Sequence, residues 1–349
     1  MRVGVEASGS GGIVVHWRMV SHPTAFRHHD VASAARARRR RVWGGVLCGM
    51  GDETEVRLQA GVWQAVVSSL GASLRGVTHA GQPVVTGYHG AAGKQGGQGD
   101  VLIPFPGRVT GGRYQWHGVQ HQLPLTDKNG PNAIHGFVRN VAWDLESVTA
   151  ASTAFVLRFA GVPGYPFPLH LRLEYSLDHE GLRVNCAVTN TGSHPAPIGM
   201  GFHPYFTVGS AQVDEDTLTV PFDDVLEFSD LLPTGRVLGV AEAGLDFRSP
   251  RRIGDTTINH CFASPIRGPD GVARVMLTYG LRSFAVWMDE SFGYVVIYTG
   301  DALPQGVRRT SIAIEPMTCA TDALNHPAWG LRELAVGSRH VAQWGVTFG

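Results

Sequence analysis

The feature that most constrains this chain is a two-residue alternation broken by tight-turn signals. From His170 to Asp178, Leu171, Leu173, Tyr175 and Leu177 fall on one side and Arg172, Glu174 and Ser176 on the other. Asp178-His179-Glu180-Gly181 reads as a turn, after which Leu182, Val184, Cys186 and Val188 alternate with Arg183, Asn185 and Ala187. Successive side chains of a strand point to opposite faces, so this segment predicts a hairpin with one buried and one wet face. Similar short runs stand at 55–60, 153–159, 272–279, 281–288, 294–299 and 311–315, and one helical turn is expected over 331–336. Strands in series without long amphipathic helices between them exclude βαβ layering and predict an all-β sandwich of large antiparallel sheets.

Composition bounds the rest. With 45 glycines and 20 prolines among 349 residues, and 43% hydrophobic residues, the chain reads as turn-rich and globular. Acidic and basic residues balance and the charged fraction is 17%, so no strong field is available to attract nucleic acid. No apolar run approaches the roughly 20 residues of a membrane-spanning helix. Cys48, Cys186, Cys261 and Cys319 are scattered without a C-x-x-C pair, which predicts buried free thiols in a reducing, cytoplasmic setting. Residues 1–52 hold Gly/Ser-rich stretches and the basic run Ala34–Arg41 without sustained period. They read as a disordered leader, or as the result of a start codon placed ahead of Met50, before a single domain over 53–349. A basic tail for an acidic partner is the rival reading.

Four segments break the strand rhythm. Val101–Arg108 places an arginine behind a Pro-rich bend, where its planar fork can donate to vicinal hydroxyls or a carboxylate, or can cap a surface loop. Asn132–Arg139 carries His135 before Gly136 and Phe137, a position that suits a cleft wall or a structural histidine. In Gly201–Phe206, Pro204 restricts His203 to extended conformations between two aromatic neighbours. A rigid imidazole there suits a general acid, or a core histidine bonded to a carbonyl. In Ile312–Ala323, Glu315 ends the apolar run Ile-Ala-Ile. A carboxylate so placed is partly buried, which costs several kcal/mol unless it is paired or its pKa rises. It is either a base or one half of a structural ion pair with an arginine.

In this order and spacing the four segments resemble the aldose 1-epimerase (galactose mutarotase) family. The likeness runs from about Glu55 to Phe348, and Tyr298-Thr299-Gly300 and Gln343–Phe348 add to it. The resemblance implies a β-supersandwich and an isomerase, free of metal and cofactor, that interconverts the anomers of a free aldose as a monomer or weak homodimer. It implies His203 as general acid, Glu315 as general base, and Arg108, His135 and Asn259 as sugar-binding residues. Three positions depart from the family pattern. Gly107 stands where animal-type members carry Asn, Asn259 where an Asp is usual, and Val296 where a Gln is usual. These departures bear on the identity of the sugar rather than on the chemistry.

Anomer exchange through the open aldehyde needs one proton removed from the anomeric hydroxyl and one delivered to the ring oxygen, so one acid and one base suffice. An ionised Glu315 calls for a positive neighbour. Trp287, Tyr205 and Phe137 are candidate faces for sugar stacking. Two other readings share the scaffold. A hexose-6-phosphate 1-epimerase would need a cationic cluster, for which Arg139, Arg308 and Arg309 are available. A non-catalytic sugar-binding module would have no use for both His203 and Glu315. A two-histidine, one-carboxylate metal site from His135, His203 and Glu315 lacks any short-range ligand spacing.

Overall fold

A computed structural model describes residues 47–50, 53–88, 90 and 93–348. The reading of residues 1–52 as a leader lies outside the described residues, except that Leu47–Met50 pairs antiparallel with Glu53–Ala60 as an edge strand.

The expected hairpin forms as Leu169–Leu177 against Gly181–Asn190, with Leu177 opposite Leu182. Along the first strand every odd-numbered residue is buried and every even-numbered one half-buried. The Asp178 carboxylate accepts from the Glu180 and Gly181 N–H groups at 2.8 and 3.0 Å, closing the turn. The expected strands at 55–60, 153–159, 272–279, 281–288, 294–299 and 311–315 are present within one or two residues. The expected helical turn at 331–336 is not. Arg332–Leu334 is instead a strand paired with Ala196–Ile198. So short a segment cannot nucleate a stable helix, and its backbone groups are paired instead in a separate two-stranded ribbon.

Two large antiparallel sheets make the fold. One orders its strands from Leu47–Met50 through Gln82–Val85, Tyr205–Phe206, Ile312–Met317, Tyr294–Tyr298, Asn259–Pro265 and Phe222–Ser229 to Leu232–Gly239. The other runs from Asp144–Val148 through the hairpin, Arg339–Phe348, Arg282–Met288 and Ala273–Tyr279. The sheets close on a shared core in which Phe206 meets Phe284 at 5.5 Å and Phe202 meets Trp344 at 5.4 Å between ring centres. Tyr175 is buried there, and its hydroxyl donates to the Ala72 carbonyl at 2.7 Å. Cys186, Cys261 and Cys319 are buried free thiols. No helix among the described residues is long and apolar enough to cross a membrane.

What positions the site is the second face of the first sheet. Ile312, Ile314, Val295, Ile297 and Phe262 point into the shared core. Their strand neighbours Met317, Val296, Cys261 and Ala263 face the other way, forming a separate apolar floor with Leu226 and Ala320, flanked by Tyr294, Tyr298 and Trp329.

Candidate active site

Strand register brings His203 and Glu315 together. Gly201 pairs with Met317 and Tyr205 with Ala313, and the same register carried across Pro204 sets His203 opposite Glu315. Pro204 has no N–H to give, but its carbonyl accepts from Ile314 N–H at 3.4 Å, so the interrupted ladder keeps its alignment. On the far side, His203 pairs with Asp100 and Glu315 with Val296, which in turn faces Cys261. One rung across the sheet therefore reads Asp100–His203–Glu315–Val296–Cys261.

In that rung His203 Nε2 stands 3.2 Å from Glu315 Oε1, with side-chain exposures of 7% and 5%. Burial pushes the Glu315 carboxyl well up, against the opposing field of Arg108, and Asp100 adds to the rise. Burial pushes the His203 imidazole down to about 3, with the Arg139 and Lys94 cations adding to the fall. Burial thus disfavours the charged form of each member of the pair. The positive neighbour expected for Glu315 is Arg108.

Arg108 sits at the turn out of the Pro-rich bend, on a two-residue strand paired with Ala133–Ile134. Its Nε donates to Asp127 Oδ2 at 2.7 Å. Burial alone would raise Asp127, but the Asn129 N–H and the Arg108 guanidinium hold its carboxyl below the usual range. The Pro-rich bend is tied to the Glu315 segment by Asp322. The Asp322 carboxylate accepts from Thr110 Oγ1 at 2.7 Å and from Thr110 N–H at 3.0 Å, and its own N–H donates to the Arg108 carbonyl at 2.8 Å. The first and fourth motifs are thus one structural unit.

His135 has a left-handed backbone, φ 62°. Its N–H donates to the Gly107 carbonyl at 2.9 Å, and its Nδ1 accepts from Gly107 N–H at 3.2 Å. Burial, then the His203 ring and the Arg139 and Arg108 cations, keep the imidazole neutral. With Nδ1 an acceptor, Nε2 carries the proton and is the donor left for a ligand. The His135 and His203 ring centres are 5.5 Å apart, edge to face.

Asn259 shares the face of Glu315 but stands two strands away and one rung along, in the series Tyr205–Ala313–Tyr298–Asn259. Sheet spacings put the Glu315 and Asn259 Cα atoms roughly 12 Å apart, so Asn259 marks the far rim. Of the candidate stacking rings, only Tyr205 is beside the pair, its ring 5.2 Å from that of His203. Phe137 packs into the core on Phe105 and Phe159. Trp287 belongs to the other sheet, lying across Gly345 beneath the Arg183 guanidinium. Neither lies beside the pair, because Trp287 is on the other sheet and Phe137, in the bend after His135, is turned into the core.

Sequence reasoning missed Asp100, Lys94 and Asp127. The available signals were the acid directly ahead of the Val-Leu-Ile-Pro run and Lys94, one of two lysines in the chain. Of the arginines weighed for a phosphate, Arg309 is buried and paired with Asp214 and Asp301, and Arg139 is paired with Asp100. Arg308 is exposed. Among the described residues no three His, Cys, Asp or Glu side chains are grouped to hold a metal ion.

Fold and site together define a class: a large antiparallel β-sandwich with a buried histidine–glutamate pair on the free face of one sheet. Residues 54–346 match the family model for aldose 1-epimerase, and the chain belongs to that family. It is 31% identical over 271 residues to the uncharacterised protein YihR of Escherichia coli K12, covering 77% of this chain and 85% of that protein. It is 26% identical over 248 residues to the maltose epimerase of Levilactobacillus brevis, covering 64% and 71%. Among solved structures, the galactose 1-epimerase of Lactobacillus acidophilus NCFM superposes with a TM-score of 0.74 at 20% identity, covering 87% of this chain and 98% of that one. The aldose epimerase homologue from C. elegans gives 0.75 at 18% identity, covering 85% and 99%.

Proposed function

We propose that this chain is an aldose 1-epimerase acting on a free aldose, with His203 and Glu315 as its acid–base pair. The observation that carries this reading is the 3.2 Å approach of His203 Nε2 to Glu315 Oε1 within one buried rung. The pair holds one proton, and two arrangements share that count: neutral ring with neutral carboxyl, or imidazolium with carboxylate. Burial favours the first in the unliganded site. A polar hemiacetal lying against both groups, with its anomeric hydroxyl towards Glu315 and its ring oxygen towards His203, favours the second, because its oxygens solvate the charges. The carboxylate then takes the proton of the anomeric hydroxyl while the imidazolium protonates the ring oxygen. The ring opens, the C1–C2 bond turns, and closure on the other face runs the same transfers in reverse. The exchange is redox-neutral and ends with the proton count it began with.

Arg108 supports the carboxylate electrostatically, and the His135 Nε2–H is a donor for a sugar hydroxyl. Asn259 serves the rim, offering an amide where a charge would otherwise stand. The apolar floor at Val296 and Cys261 favours the C–H face of a pyranose. A phosphorylated sugar is less well served, since Arg139 and Arg309 are both engaged by carboxylates.

Polarimetry of freshly dissolved α-glucose, α-galactose and maltose tests the reading. The parent is expected to speed the decay of rotation for at least one of them. Glu315→Gln and His203→Asn are each expected to lose at least about 10²-fold in turnover at an unchanged melting temperature. A parent that leaves every decay at its buffer rate, or either variant at full activity, overturns it.

A further inference from the structure

The rung that holds the His203–Glu315 pair continues through Asp100, on the opposite side of His203 from Glu315. Asp100 is 2% exposed and clamped by two cations: Lys94 Nζ is paired with Oδ1, and Arg139 Nη1 lies 3.3 Å from Oδ2. The three groups come from three places, the glycine-rich segment before the strand Asp100–Leu102, the strand itself, and the loop carrying His135. All of them converge on His203. The Gly99 N–H donates to the His203 carbonyl at 2.9 Å, and a Cβ on Gly97 would stand 3.1 Å from His203 Cδ2 and 3.5 Å from Asp100 Oδ2. The glycine-rich segment therefore lies directly against the ring, and only glycine fits there, since Gly97 also has φ 81°. His203 Nδ1 is buried without a hydrogen-bond partner among the described residues. No other residue bonds that nitrogen, so the charges around the ring add to burial in setting its protonation.

We propose that Lys94, Asp100 and Arg139 form a charge triad that acts through His203 as a positioning device, setting where the His203–Glu315 pair takes up and releases its proton. The triad carries a net charge of one positive unit. Its cations oppose an imidazolium at His203, while Asp100 limits that opposition and opposes a carboxylate at Glu315. The other groups facing the pair are Glu315 itself from the strand Ile312–Met317, Tyr205 stacked on the ring, neutral His135 from its loop, and Arg108 acting on Glu315. Replacing Lys94 or Asp100 leaves all of these residues in the chain, and Asp100 acts on Glu315 and Tyr205 in the same sense, raising both. Removing one cation should therefore raise the proton affinity of the pair, and removing the anion should lower it. A purely structural clamp would give no such opposition of sign.

The inference rests on the acid–base reading above for its kinetic consequence and has a second readout that does not. Full-length parent, Lys94→Met, Lys94→Arg and Asp100→Asn are compared in two ways. One is the pH profile of kcat/KM with the aldose the parent turns over. The other is the imidazole 15N titration of the unliganded proteins, with the His203 signals assigned by loss in His203→Asn. Expected are profile limbs and His203 titration moved up by about one pH unit in Lys94→Met, moved down in Asp100→Asn, and left at the parent position in Lys94→Arg. Shifts in the same direction for Lys94→Met and Asp100→Asn, or activity losses without any shift, overturn the triad. A parent without epimerase activity whose His203 signals still move in opposite directions supports the triad and overturns the proposed function instead. Should Asp100→Asn fail to fold, Lys94→Met against Lys94→Arg decides alone: no upward shift in the first sinks the proposal.

Discussion

At the scale of single residues, the chain keeps buried carboxyls in two different ways. Glu315 and Asp100 are buried beside partners, whereas both carboxyl oxygens of Asp216 are buried without a hydrogen-bond partner among the described residues. Burial, opposed by the nearby Ser210 hydroxyl and reinforced by Glu215 and Asp214, pushes the Asp216 carboxyl up to about 6. Its unfolded value is about 3.9, so the folded state binds the proton more tightly. The associated stability is complete below the unfolded value and is lost as pH rises through about 6. Asp216→Asn removes the ionisation. It should raise the midpoint of thermal unfolding at pH 8 by a few degrees, corresponding to about 1–3 kcal/mol, and leave it near the parent value at pH 4. Equal shifts at both pH values would show that ionisation at Asp216 is not the cause.

At the scale of elements, the site depends on loops meeting backbone to backbone. Gly136, next to His135, has φ 62°, and a Cβ there would stand 2.0 Å from the Ile103 carbonyl oxygen. That carbonyl already accepts from Phe137 N–H at 2.9 Å, so neither strand of chain can retreat without moving the other. Gly136→Ala should cost at least about 2 kcal/mol and lower kcat/KM, because His135 and the Pro104–Arg108 bend are displaced together. Gly61 is the control. It has φ 56° in a hairpin turn with nothing within 4 Å of a Cβ. Gly61→Ala should cost only about 1 kcal/mol and leave kcat/KM unchanged. Denaturant titrations and initial rates on both variants check the contrast, and equal effects would count against the close-approach account.

For the molecule as a whole, the two sheets share one core, so neither can lose its inner face alone. Residues from both, such as Phe206 and Phe284 or Phe202 and Trp344, interlock across it. Cys186 lies in that core, while Cys261 and Cys319 lie by the apolar floor on the far face of the first sheet, and all three are fully buried. Burial pushes the Cys186 and Cys261 thiols up to about 12, so they are neither accessible nor ionised. In a Cys48→Ser background, thiol labelling should proceed only through unfolding, at one rate for all three cysteines and in step with loss of far-ultraviolet dichroism. Earlier labelling of Cys261 or Cys319 would indicate that the floor of the site opens independently.

Much of the architecture was legible in the amino-acid order because strand periodicity is local. Leu171, Leu173, Tyr175 and Leu177 declare a buried face within nine residues, and Asp178–Gly181 declares the turn that follows. The motifs around Arg108, His135, His203 and Glu315 were legible for a related reason, since proline, glycine and buried charge leave few local conformations. Pairing is not local. The chain order places His203 and Glu315 more than a hundred residues apart, and only the antiparallel register through Gly201–Met317 and Tyr205–Ala313 makes them neighbours. Other long-range contacts set Asp100 beside His203, placed Trp287 in another sheet, made 332–334 a strand and engaged Arg139 and Arg309 in ion pairs. Which polar groups share a face, and which charges are already neutralised, depends on long-range strand partners. Those were decided by the tertiary structure, because a side chain's field and solvation are properties of its surroundings and not of its position in the chain.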